Sequence, residues 1–301
     1  WKISFLISES AILNCFQHLV ELNKDDLVIV GSGDDAAVIK SQEKDLVHSV
    51  DISKINTHFP QDSMPQDIAY RSIAVALSDL AAMGAFPAFI SIGLTSNITD
   101  LKWYKQFTSG VEKILNDYQL KLVGGDVTNG EISVCVNVFG YAYEKNILRS
   151  TAKVGDLIYI TGPLGEGRRG LADWKNKQQT KYIKKFFNPK VDFDKSEYIS
   201  KYGNSCIDIS DGLIKDLTRI CKSSKVGAEI IYENIPITND IDDLSYGDDY
   251  KLCYTCSPEL KDNEFISKDF CIGEIVSDTE IIIKKDNSAV SFKKHGWDSF
   301  E

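Results

Sequence analysis

Gly33-Asp34-Asp35-Ala36-Ala37-Val38-Ile39 is the stretch around which this chain is organised. A glycine that permits a tight turn is followed by two adjacent carboxylates and then by an apolar run with strand character. Aspartates are poor strand formers, so another demand retains them there. The same pattern returns in Ser49-Val50-Asp51, Leu77-Ser78-Asp79, Gly124-Gly125-Asp126, Asp208-Ile209-Ser210-Asp211-Gly212 and Gly247-Asp248-Asp249. Taken singly, an Asp beside Gly is a turn former or a helix N-cap. Converging carboxylates about 4 Å apart would repel by roughly 4 kcal/mol per pair at an effective dielectric of about 20. Such a set needs cations, and oxygen-only donors suit Mg²⁺, Mn²⁺ or Ca²⁺ rather than zinc or copper. The motifs therefore point to a metal–phosphate site.

The chain has 301 residues and is 43% hydrophobic, enough for one large domain or two medium ones. A formal net charge of −10 and a pI near 5.0 argue against nucleic-acid and anionic-membrane partners. Seven cysteines, odd in number and mostly inside apolar runs, indicate a reduced protein, and a cytoplasmic location is expected. Cys253-Tyr254-Thr255-Cys256 has no second pair to complete a zinc site and reads as core packing. No apolar run reaches the length of a membrane span.

Along the chain, the pattern predicts a helix over 9–22, strands over 27–30, 36–40 and 46–50, and a loop over 51–61 containing His58. A long helix follows, with Ser63 as cap, Pro65 in its first turn and Gly84 at its end. Asp79 falls among the apolar positions of that helix, where it must pair or bind metal. Strands over 88–95, 120–124 and 132–141 surround a helix over 100–118. A boundary near residue 148 separates an N-terminal domain, 1–148, from a C-terminal domain, 149–301.

The second half opens with a strand over 157–161 and the turn Gly162-Pro163-Leu164-Gly165-Glu166-Gly167-Arg168-Arg169-Gly170. It lacks the Gly-Lys-Ser/Thr ending of a P-loop; its glycines could let amides approach a phosphate, and a plain strand-to-helix turn fits them equally. The lysine-rich segment 175–190 reads as a solvated helical face. A helix is predicted over 212–224, capped by Ser210 or Asp211, and strands over 228–232, 251–256, 270–275 and 279–284. The whole is α/β or α+β. With four histidines and no Ser-His-Asp or Cys-His set, a covalent nucleophile is not expected, and catalysis would rest on positioning and charge neutralisation.

Gly33-Asp-Asp-Ala-Ala-Val, Leu77-Ser-Asp-Leu-Ala-Ala-Met-Gly-Ala85, Gly124-Gly-Asp-Val-Thr-Asn-Gly130, Ile207-Asp-Ile-Ser-Asp-Gly-Leu213 and Gly247-Asp-Asp-Tyr, in that order, resemble the thiamine-monophosphate kinase family. That family belongs to the superfamily of aminoimidazole ribonucleotide synthetase. The resemblance implies a two-domain fold of that type, a homodimer paired through its N-terminal sheets, and a C-terminal α/β domain covering the active site. It implies ATP as co-substrate and thiamine monophosphate as acceptor, with in-line transfer assisted by several Mg²⁺ ions. By motif, Asp35, Ser49, Val50, Asp51, Asp79, Asp126, Asp208 and Asp211 would hold the metals, Val50 only through its carbonyl. Gly125, Asp126, Arg149 and Ser210 match nucleotide contacts, and His58, Asp248 and Trp297 match contacts to thiamine monophosphate.

The chain departs from the family pattern at Asp248, which stands for the usual Glu, in the shorter segment 237–246, and at Arg168-Arg169. A sister synthetase of the superfamily, or a non-catalytic nucleotide-binding maturation partner, is the alternative.

Overall fold

The computed structural model describes residues 8–21, 28–30, 37–40, 42–292 and 296–299. Gly33, Asp34, Asp35 and Ala36 lie outside the described residues, and with them the metal role expected of Asp35. The chain divides into two compact units, residues 1–77 with 87–141, and residues 78–86 with 142–301.

In the first unit the helix expected over 9–22 is two short ones, α1 (Glu9–Leu13) and α2 (Gln17–Glu21). The amides of Cys15, Phe16 and Leu19 bond three residues back, a tightening that breaks the register between them. Strands β1 (Val28–Val30) and β2 (Val38–Ile39) form an antiparallel pair. Strand β3 (Leu46–Lys54) runs four residues beyond its expected end, so the loop expected over 51–61 starts late. Its partner overrides the poor strand propensity of Asp51: the ladder with β6 continues from Asp51 opposite Val136 to Lys54 opposite Ser133.

Helix α3 (Pro65–Ala82) buries Ile68, Ala69, Ile73, Ala76, Leu77 and Leu80, the apolar spacing the sequence shows. Ser63 does not cap it: its hydroxyl donates to the Pro60 carbonyl at 2.6 Å, and the first helical acceptor is the Met64 carbonyl. Gly84, at φ +72°, closes the helix.

Strand β4 (Ala85–Thr95), helix α4 (Leu101–Tyr118) and strand β5 (Lys121–Thr128) make a parallel crossover, and β6 (Ser133–Ala142) follows. Asp100 caps α4 by accepting from the Lys102 amide at 2.9 Å. The sheet order is β3-β6-β4-β5, so β3 and β5 are its edges.

In the second unit, β7 (Leu157–Ile160) leads into helices α5 (Glu166–Lys175), α6 (Lys181–Phe187) and α7 (Phe193–Tyr202). Strand β8 (Ser205–Asp208), helix α8 (Leu213–Ser224) and strand β9 (Gly227–Ile231) come next. The chain continues through β10 (Leu252–Cys256), β11 (Phe270–Val276), β12 (Ile281–Lys285) and β13 (Ser288–Val290). Among the described residues these strands form one sheet in the order β13-β12-β9-β11-β7-β10-β8, antiparallel except between β12 and β9.

Its core gathers Ile158, Ile160, Ile207, Leu217, Ile220 and Ile272. The lysine-rich segment is only partly a solvated face, because Phe186 and Phe187 of α6 are buried beside Trp174. All seven cysteines are unbridged, and Cys253 and Cys256 lie in the core. Among the described residues no helix is long and apolar enough to cross a membrane.

Candidate active site

Strand β8 ends in Asp208, which is buried, and the chain then turns sharply into α8. The turn is shaped by a residue that the motif reading passed over. Three successive amides, those of Ser210, Asp211 and Gly212, donate to Asp216 Oδ2 at 3.0, 2.9 and 3.1 Å. Gly212 adopts φ +117°, where a Cβ would stand 2.9 Å from the Ser245 carbonyl carbon.

Asp216 Oδ1 takes Arg219 Nη1 at 2.5 Å, while Arg219 Nη2 reaches Asp211 Oδ2 at 2.5 Å and Lys215 Nζ reaches the same oxygen at 3.2 Å. Burial pushes the Asp216 carboxyl up to about 6, against the opposing pull of Arg219. Asp216 carries the same signal as Asp79, an acid among the buried apolar positions of a helix, here Leu213, Leu217 and Ile220.

Other expected residues meet this turn. The Trp297 amide donates to the Asp211 carbonyl at 2.9 Å, and Lys215 Nζ donates to the Trp297 carbonyl at 2.5 Å. The Asp248 amide donates to the Ser210 carbonyl at 3.0 Å, and Tyr250 donates its hydroxyl to Asp248 Oδ1 at 3.1 Å. Asp248 and Tyr250 both hold positive φ, +69° and +50°. Two non-glycine residues in the left-handed region so close together are a strained arrangement that the surroundings must impose. Arg149 is exposed at the start of a 3₁₀ turn over Arg149–Thr151, and its carbonyl accepts from Ser224 Oγ at 2.8 Å.

In the glycine-rich turn, two glycine amides are taken up within the chain. Asp249 takes the Gly165 amide with both oxygens at 2.9 Å and lies 3.5 Å from the Gly167 amide. Asp249 is buried, and burial pushes its carboxyl up to about 8 against the opposing amides. The folded chain therefore holds a proton there that the unfolded chain releases near the ordinary value of 3.8. Stability from this group is complete below that value and is lost as pH rises through about 8. Asp249→Asn should flatten this slope, so the melting-temperature gap between wild type and variant narrows or reverses from pH 5 to pH 9. A gap constant over that range would contradict the assignment.

In the first unit, Ser49 and Asp51 share the more buried face of β3, whereas Val50 points to the exposed face and its backbone pairs with Asn137. Gly125 and Asp126 lie on β5 opposite Ile92 and Gly93 of β4, and a Cβ at Gly125 would stand 2.4 Å from the Ile92 carbonyl oxygen. Asp126 is exposed. Asp79, which belongs to the second unit, is half-buried on α3. His58 is held on both sides: the Lys54 amide donates to Nδ1 at 3.0 Å, and the buried Arg71 donates to the His58 carbonyl at 3.0 Å. The neutral ring therefore carries its proton on Nε2.

Among the described residues, no three His, Cys, Asp or Glu side chains are gathered closely enough to hold a metal ion. The donor chemistry nonetheless fits Mg²⁺: Ser49, Asp51, Asp79, Asp126, Asp208 and Asp211 offer oxygen alone.

Residues 33–142 match the family of AIR synthase related proteins, N-terminal domain. The chain is 40% identical over 304 residues to the thiamine-monophosphate kinase of Buchnera aphidicola subsp. Schizaphis graminum, an alignment spanning 92% of this chain and 94% of that relative. Its fold matches the crystal structure of thiamine-monophosphate kinase from Stenotrophomonas maltophilia K279a with a TM-score of 0.83 and 26% identity, covering 94% of this chain and 98% of that one. It also matches a structure of AaThiL complexed with AMPPCP and TMP, with a TM-score of 0.77 and 25% identity over 95% of each chain. Identity at that level, sustained along nearly the whole sequence and joined to a shared fold, makes this chain a member of the thiamine-monophosphate kinase family, and a kinase.

Proposed function

We propose that this protein transfers the γ-phosphoryl group of ATP to thiamine monophosphate, giving thiamine diphosphate and ADP. A phosphate oxygen of the acceptor attacks the γ-phosphorus, the bond to the β–γ bridging oxygen breaks, and ADP leaves in line. The observation that carries this reading is the meeting of Ser210, Asp211, Asp248 and Trp297 on one turn, a nucleotide contact, a metal ligand and two substrate contacts by motif. The reading needs no covalent intermediate: catalysis would rest on positioning and charge neutralisation.

Asp248 and Trp297 supply a carboxylate and an aromatic face, both suited to a cationic thiazolium. His58 presents an Nε2 proton suited to an anionic oxygen. On the nucleotide, Gly125 and Asp126 provide close backbone approach and a carboxylate, and Arg149 and Ser210 provide donors for phosphate. Several Mg²⁺ ions would be held by Asp35, Ser49, Asp51, Asp79, Asp126, Asp208 and Asp211 with the Val50 carbonyl, and would neutralise charge on the transferring phosphate.

A homodimer accompanies this reading. Edge strand β3 shows an exposed face with Val50 52% and Ile52 59% accessible, the kind of edge a symmetric partner covers. Sedimentation as a fully active monomer would overturn that part. The activity is tested by ADP release: it should require thiamine monophosphate and Mg²⁺ together, and free thiamine, which lacks the attacking phosphate, should not substitute. Steady ATP hydrolysis without acceptor would count against the reading.

A further inference from the structure

Arg168 sits in the first turn of α5 and faces two carboxylates and one ring. Its Nη1 lies 2.7 Å from Asp240 Oδ1 and 2.9 Å from Asp243 Oδ1, and its guanidinium carbon lies 4.3 Å from the centre of the Tyr246 ring. Asp243 is fully buried and also accepts from the Asn239 amide at 2.8 Å and from Asn239 Nδ2 at 3.0 Å. One cation thus ties down the segment from Asp240 to Tyr246, which runs directly into the strained turn at Asp248.

The neighbour of Arg168 closes the same turn from the other side. A Cβ at Gly167 would stand 2.1 Å from the Asp248 carbonyl oxygen, so α5 packs its bare backbone on Asp248 while Arg168 grips the residues before it. The two aspartates outweigh the single guanidinium, so the clasp keeps a negative balance beside a residue expected to meet a cationic ring.

We infer that Arg168 is a positioning residue that sets the Asp248 turn for thiamine monophosphate, an inference that rests on the substrate role proposed for Asp248. Arg168 is not itself a substrate contact. Its action passes through Tyr246 and Asp243 to the backbone at Asp248. A positively charged fork that bonds two carboxylates and stacks on a ring cannot be matched by an ammonium group, which sets the expected order of variants.

The experiment pairs kinetics with amide exchange. Arg168→Ala should raise the KM for thiamine monophosphate about tenfold while kcat and the KM for ATP stay within about twofold, and Arg168→Lys should recover part of the loss. Exchange at the amides of Tyr246 and Asp248, which donate to the Asp242 and Ser210 carbonyls, should quicken in Arg168→Ala. If Arg168→Ala does not fold, Tyr246→Leu removes only the stacking and should give a smaller rise confined to the same constant. Equal rises in both Michaelis constants, unchanged constants, or unchanged exchange would each overturn the inference. A wild-type protein that never consumes thiamine monophosphate would instead overturn the proposed function, and the exchange measurement would still decide whether Arg168 holds the turn.

Discussion

Asp126→Asn is expected to remove nearly all turnover while leaving the fold intact. If Asp126 holds Mg²⁺ against ATP phosphates, losing one charged oxygen ligand removes about 3–4 kcal/mol of transition-state stabilisation, roughly a hundredfold to a thousandfold in kcat. The side chain is exposed on edge strand β5, and Asn has similar strand propensity, so little stability should be lost. The melting temperature without ligand should stay within about 1 °C of wild type, as for an ordinary surface change. Mg²⁺ with ATP should then raise it much less than in wild type, because stabilisation by a ligand follows its affinity for the folded state. Retained activity and an unchanged response to Mg²⁺ with ATP would instead show that Asp126 holds no metal.

Asp216→Ala should do the opposite and damage the fold first. Three backbone amides lose their acceptor and Arg219 loses a buried partner, the kind of truncation that leaves polar groups unmet. Arg219 is partly exposed and water can take up some of its charge, so a loss of about 3 kcal/mol is expected. Urea unfolding measures it, and a loss below about 1 kcal/mol would contradict the role assigned to Asp216. Asp216→Asn, which keeps an acceptor for the amides, should fall between Ala and wild type.

The contrast between these two acids also shows how far the sequence could be read. Apolar spacing marked α3, the Asp-Gly turn marked the start of α8, and glycine at position 84 marked a helix end, because those signals depend on neighbours in the chain. The Asp motifs were equally plain, and the turn at 208–212 exchanges backbone hydrogen bonds with Asp248 and Trp297. What stayed hidden depends on partners far along the chain. Asp249 reads like its neighbour Asp248, yet it takes the amides of Gly165 and Gly167, which favours a plain strand-to-helix turn over the phosphate loop that the glycines equally allowed. Asp211 reads as a metal ligand or cap, but its carboxylate is engaged by Lys215 and Arg219. Its replacement should therefore cost stability as well as activity, unlike that of Asp126.

Strand β3 ran past Asp51 because nine residues of β6 pair with it, a long-range ladder that local propensity cannot reveal. The lysine-rich segment 175–190 read as a solvated helical face, and the two phenylalanines that bury part of it, Phe186 and Phe187, show their role only once α6 is packed.

The most direct test of the central claim follows the label from ATP carrying radioactive phosphorus at the γ position, mixed with the protein, Mg²⁺ and thiamine monophosphate. Direct transfer predicts that the label appears in thiamine diphosphate, in equal amount with the ADP formed, and none on the protein. Label retained on the protein, or released as inorganic phosphate while thiamine monophosphate stays unchanged, would contradict it.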